Sequence, residues 1–117
     1  MAFLLLYIGE GVQFDVDGIK RGLSASSHVR CQPPDYGCAF NCEYLTDSDV
    51  APIRVKDDAE TIVVEGMGEA AFCAAVEIQA LCRQPVHVID ESYSFDLTLT
   101  DFSSPIELEH AIRERGG

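Results

Sequence analysis

Apolar positions recur along the chain with the periods of both strand and helix, and the clearest stretch is Thr61 to Cys82. The β-branched run Thr61-Ile62-Val63-Val64 meets Gly66 and Gly68 and then about four turns of alanine-rich, mostly apolar sequence. This is the pattern of a buried strand feeding a buried helix. Phe3 to Ile8 is almost continuously apolar, as expected for a strand covered on both faces or central in a sheet. Between Phe14 and Leu23, Val16, Ile19 and Leu23 fall at helical spacing, with Asp15 or Asp17 available as N-cap. Gly18 and Gly22 weaken that helix, since each costs about 1 kcal/mol relative to alanine.

His28 to Cys31 reads as a short strand and Gln32 to Gly37 as a turn, from its Pro-Pro and Gly content. Tyr36, Cys38, Phe40, Cys42 and Tyr44 then fall on one side of an extended segment, opposite Gly37, Ala39, Asn41 and Glu43. The two segments make a hairpin with one face inward. Thr46 to Glu60 reads as an acidic, exposed excursion with a short strand at Pro52 to Lys56. After the central strand and helix, Arg83-Gln84-Pro85 forms a stop, Val86 to Ile89 a strand, and Tyr93, Phe95, Leu97 and Leu99 an alternating edge segment. Ser104-Pro105-Ile106-Glu107 has capping-box spacing, Leu108, Ala111 and Ile112 form an inner stripe, Glu109 and Arg113 an i,i+4 pair, and Gly116 the close.

This order predicts one domain over residues 1–117: a two-layer α+β sandwich with a mixed sheet of about five strands and two or three helices, ferredoxin-like or related. The strand-helix-strand unit at 61–89 should supply parallel neighbours, and the hairpin at 28–45 antiparallel ones.

Charge changes the picture more than composition does. Twenty acidic against eight basic residues leave a net charge of -12. Such a field repels nucleic acid and anionic membranes and speeds encounter with a basic protein or cationic ligand. The opening apolar run lacks the basic flank and small-residue site of a secretory leader. With five cysteines, an odd number, the chain reads as a cytoplasmic protein with free thiols.

His28, Cys31, Cys38 and Cys42 resemble a metal-ligand set until the alternation is applied. Sulfurs at 38 and 42 on one strand face lie ~13 Å apart, too far to share a tetrahedral ion. Core packing is the expectation for these cysteines, with a reactive thiol or a Cys31–Cys38 bridge across the hairpin as alternatives. Gly66-Met67-Gly68, with Ala71 and a following Asp90, meets the looser dinucleotide pattern. Glu65 and Glu69 flank it, however, and would repel a phosphate, so a capped turn is expected. Nothing ties His28, His87 or His110 to a nucleophile, and Pro52 stands where a calcium loop needs glycine.

No catalytic residue, metal or cofactor is therefore expected. The pattern points to a small acidic non-catalytic binding protein, an inhibitor or immunity-type protein that neutralises a basic partner such as a toxin. Asp47, Asp49, Asp57, Asp58 and Glu60 are the first expected contacts, with Asp90, Glu91 and Asp96 second. One alternative is a regulatory or structural module that forms a homodimer through the 93–99 edge. Another is a small enzyme using a cysteine thiolate or the Asp90-Glu91 corner.

Overall fold

A computed structural model of the chain describes residues 2–33 and 37–116. The described residues form seven strands, three α-helices and a 3-10 turn at Leu99–Asp101. In chain order these are β1 (Phe3–Tyr7), α1 (Val16–Ser24), β2 (Val29–Gln32), β3 (Cys38–Leu45), β4 (Val50–Lys56), β5 (Ile62–Glu65), α2 (Glu69–Ala80), β6 (His87–Asp90), β7 (Asp96–Thr98) and α3 (Pro105–Gly116). One sheet holds all seven strands in the order β2-β3-β4-β5-β1-β6-β7, every neighbouring pair antiparallel. The radius of gyration is 12.9 Å, close to the ~13 Å of a compact domain of this length.

The α+β class is as the sequence predicts, but the sheet is larger than the expected five strands and is not mixed. β5 and β6 run parallel to each other as the strand-helix-strand pattern requires, yet they are not neighbours. β1 lies between them and pairs with both, Leu5 facing Val63 on one side and Ile89 on the other. The apolar run at 3–8 is thus a central strand. Only Leu4 and Leu6 are fully buried, while Phe3, Leu5 and Tyr7 point to the opposite face and stay half-buried.

Within the excursion expected at 46–60, the short strand expected at Pro52 to Lys56 is β4, which starts two residues earlier at Val50 and is interior rather than exposed, with Ala51, Ile53 and Val55 buried. Its outward positions, Pro52, Arg54 and Lys56, mask the alternation in the sequence. Pro52 is tolerated because the β4–β5 register ends at Ile53↔Val64, before an N–H from residue 52 is needed. The edge predicted over 93–99 shrinks to the three residues of β7. Tyr93 leaves the alternation with φ 55° and is 75% exposed, whereas Phe95, Leu97 and Leu99 are buried as expected. The turn assigned to 32–37, and Tyr36 with it, fall partly outside the described residues.

All three helices contribute to a single core on one face of the sheet. Asp15 caps α1 by accepting from the Gly18 amide at 3.1 Å, and Ile19 and Leu23 are buried. Ser104 Oγ accepts from the Glu107 amide at 3.3 Å, while the Glu107 carboxylate accepts from the Ser103 amide at 2.7 Å, so α3 opens with a reciprocal cap displaced by one residue. Gly68 precedes α2 and has no side chain to cap it. Asp49, from the β3–β4 turn, accepts instead from the Ala70 amide at 3.1 Å. The glycine turn at 66–68 is therefore a capped helix start, with the carboxylate delivered from 21 residues upstream.

Two predictions follow from these contacts. Asp49→Ala should cost about 1 kcal/mol, lowering Tm by about 4 °C. A Cβ at Gly68 would lie 2.5 Å from Asp49 Oδ2, so Gly68→Ala should disturb the same cap. Its cost should shrink by at least ~0.5 kcal/mol in an Asp49→Ala background, read as a double-mutant cycle in urea. The second concerns alkali. Burial pushes the Cys42 thiol up to about 12, with the charges of Cys31, Glu43 and Glu77 adding to it, and pushes Cys82 up to about 11, helped by Asp15. The unfolded chain ionises these thiols near ~8.5, so above that pH the native state holds more protons. Stability should be intact below pH ~8.5 and fall as pH rises towards 11, by roughly 1 kcal/mol per unit for each thiol. Cys42→Ala should flatten the fall in urea midpoints measured from pH 8 to 10.5.

Candidate functional site

Among the described residues no helix packs on the second face of the sheet. Its outward positions line up in rows set by the strand register: Asn41, Arg54, Val63, Leu5, Ile89 and Asp96 in one, and Tyr7, His87 and Thr98 in another. Towards β2 this face is polar and carries ion pairs, while the buried Asn41 Oδ1 has no hydrogen-bond partner among the described residues. Arg30 Nη2 lies 2.6 Å from Glu43 Oε1, and Arg54 pairs with Glu65.

Towards β1 and β6 it is apolar and aromatic. A groove of about 420 Å³ lies there, lined by Leu5, Tyr7, Gly9, Glu10, Glu60, Thr61, Ile89 and Tyr93. Leu5 and Ile89 supply aliphatic surface and the two tyrosines supply rings. Glu10 and Glu60 bring negative charge to one end, and among the described residues no lysine or arginine lines it.

The tyrosines are held by different means. Tyr7 stacks on His87 with ring centroids 5.1 Å apart and an interplanar angle of 25°, and its hydroxyl donates to Asp96 Oδ2 at 3.2 Å. Burial raises the Tyr7 pKa, and the charge and hydrogen bond of Asp96 raise it further, so the phenol stays neutral and acts as a donor. Tyr93 sits on the turn after β6. Asp90 accepts there from the Ser94 amide at 2.7 Å and from the Ser94 hydroxyl, and the Tyr93 amide donates to the Asp90 carbonyl at 3.3 Å. This local network accommodates the left-handed backbone at Tyr93. Desolvation alone would raise the Asp90 pKa, but the bonds from Ser94 and the turn amides outweigh it and hold the carboxyl below its usual value.

The acids expected to form one surface do not gather. Asp47 and Asp49 lie in the turn before β4, and Asp57, Asp58 and Glu60 follow it. The seven residues of β4 therefore separate them by about 20 Å. Asp90 and Glu91, at the end of β6, are on the Asp47 side of the sheet. Asp49 is occupied with the start of α2 and Asp90 with its own turn, and Asp58 accepts from the Glu60 amide at 2.9 Å. Glu60 alone of the eight lines the groove, and Asp96 touches it through Tyr7. Leu5, Tyr7, Ile89, Tyr93 and Glu10 were not anticipated from sequence. The available signal was a β1 apolar on both sides in a chain with too few helices for a third layer.

The remaining chemistry is muted. Among the described residues no three His, Cys, Asp or Glu side chains are placed to hold a metal ion, and no helix is long and apolar enough to cross a membrane. The Asp49 carboxylate stands at the α2 N-terminus, where a phosphate would have had to bind.

The depressed Asp90 pKa predicts a pH dependence. Because the folded value lies below the ~3.9 of an unfolded aspartate, its contribution to the turn is present above that pH and is lost as pH falls through the folded value. Asp90→Asn should flatten the loss of stability below pH 4 and increase hydrogen exchange at residues 92–94.

No protein-family model, curated protein or solved structure is significantly similar to this chain.

Proposed function

We propose that the protein is a small acidic, non-catalytic binding protein, and that its open sheet face receives basic side chains of a partner protein. The observation that carries this reading is the groove itself: two tyrosines and two aliphatic side chains beside Glu10 and Glu60, with no basic residue lining it among the described residues. An arginine or lysine entering it meets ring faces for cation–π contact and carboxylates for its charge. Its volume is in the range of small-ligand and side-chain pockets.

The net charge of -12 steers a basic protein inward and disfavours nucleic acid and anionic membrane. An inhibitor or immunity-type role against a basic toxin fits these properties, and a cytoplasmic location fits five free thiols. The order β6-β1-β5-β4, with α1 after β1 and α2 after β5, supports a ferredoxin-like reading of the core. On that reading β2 and β3 are inserted ahead of β4, and β7 and α3 are added after β6.

An arginine-rich nonapeptide is a suitable probe. Its titration should shift backbone amide resonances around Tyr7, Glu10, Glu60, Ile89 and Tyr93. Combining Tyr93→Ala with Glu60→Lys should weaken binding by about tenfold or more, and Asp47→Lys by less than about twofold. Equal losses from Asp47→Lys, or shifts spread over every acidic turn, would reduce the interaction to diffuse charge and overturn the proposal.

A further inference from the structure

Cys31 and Cys42 are register partners on β2 and β3, directly across from each other. The pair of hydrogen-bonding alternation can be counted from the hairpin's open end, where the Leu45 amide donates to the His28 carbonyl at 2.7 Å. That bond makes 28/45 a hydrogen-bonded pair, so 29/44 is non-hydrogen-bonded, 30/43 bonded, and 31/42 non-hydrogen-bonded again. In such pairs the Cα atoms stand ~4.5 Å apart with side chains on the same face, within the span that a disulfide bridges. Cys38, the bridge partner named only as an alternative from sequence, is opposite Lys56 on the other neighbour of β3.

The two thiols are otherwise unlike. Cys31 is exposed on the edge strand, and its Sγ lies 3.3 Å from the Ser24 hydroxyl at the end of α1. Cys42 is 2% exposed. Burial is the main cause of its raised pKa, and the charge of Cys31 is the next, which places the two sulfurs in each other's field.

We propose that Cys31 and Cys42 form a reversible cross-strand disulfide, with Cys31 the thiol that reacts first. The oxidant is a small disulfide such as oxidised glutathione. The Cys31 thiolate attacks one of its sulfurs, the glutathione S–S bond breaks, and one glutathione thiolate leaves, giving a mixed disulfide on Cys31. Cys42 then gives up its proton and attacks Cys31 Sγ, expelling the second glutathione thiolate. Two protein thiols are oxidised by two electrons, one glutathione disulfide is reduced to two thiols, and the protons released balance those taken up. Ser24 is positioned to donate a hydrogen bond to the Cys31 thiolate. The bond fastens the β2 edge to β3 without a change of register.

The test is incubation of the full chain with oxidised glutathione, then thiol counting in denaturant, with the mass measured before and after reduction. Wild type should fall from five thiols to three as a monomer without bound glutathione, and its Tm should rise on the order of 5–10 °C. Cys38→Ser should fall from four to two, whereas Cys31→Ser and Cys42→Ala should each form no internal bridge. Cys31→Ser changes an exposed edge position and keeps the test decisive if Cys42→Ala folds poorly. Loss of two thiols in Cys42→Ala, a Cys31–Cys31 dimer, or a mixed disulfide that persists on wild type would overturn the proposal.

Discussion

One helix layer on a seven-stranded sheet is the constraint from which the rest follows. Seven strands at ~4.8 Å spacing span about 29 Å, and three helices packed ~10 Å apart cover about the same width. The described helices can therefore roof one face and no more. Ala70, Ala71, Ala74 and Ala75 let α2 lie close on the sheet, while α1 and α3 close the two sides of the same core. Every apolar residue on the alternate positions of β1, β5 and β6 is left to the other face. The groove is what this geometry leaves open, with Ile89, 4% exposed, beneath its other lining side chains.

Local signals were legible in proportion to how local the physics is. Asp15, and Ser104 with Glu107, mark helix starts because a cap and its amide lie within three or four residues. The β2–β3 hairpin follows from simple alternation. Strand order was hidden, because β1 pairs with residues 62–65 and 87–90 and no nearby residue specifies which neighbours it takes. The strand at β4 was legible but its interior place was not, because its outward Arg54 and Lys56 resemble the solvated loop around them. Asp49 counted as surface charge in sequence and as a helix cap in space, a role visible only once the β3–β4 turn is folded against α2. The candidate site was the least legible part. Its lining comes from β1, β6 and three turns, and its one signature, the left-handed backbone at Tyr93, depends on the Asp90 turn.

The sheet edges bear on how this protein meets others. β7 offers three residues before the chain turns into the 3-10 segment, and β2 offers four, with charged Arg30 on it and Pro33 just beyond. Short, charged or proline-flanked edges discourage the addition of another strand. Backbone pairing with a second copy through either described edge is correspondingly disfavoured.

The place of β1 also has a consequence in time. During synthesis the most apolar strand leaves the ribosome before either strand that flanks it. Fifty-eight residues separate Tyr7 from Glu65 and eighty-three separate it from Asp90. At ~5–20 residues per second, Phe3 to Tyr7 wait roughly 3–12 s for the first neighbour and 4–17 s for the second. An interior strand of the finished sheet thus spends this interval without either of its neighbours, which gives a chaperone reason to bind it.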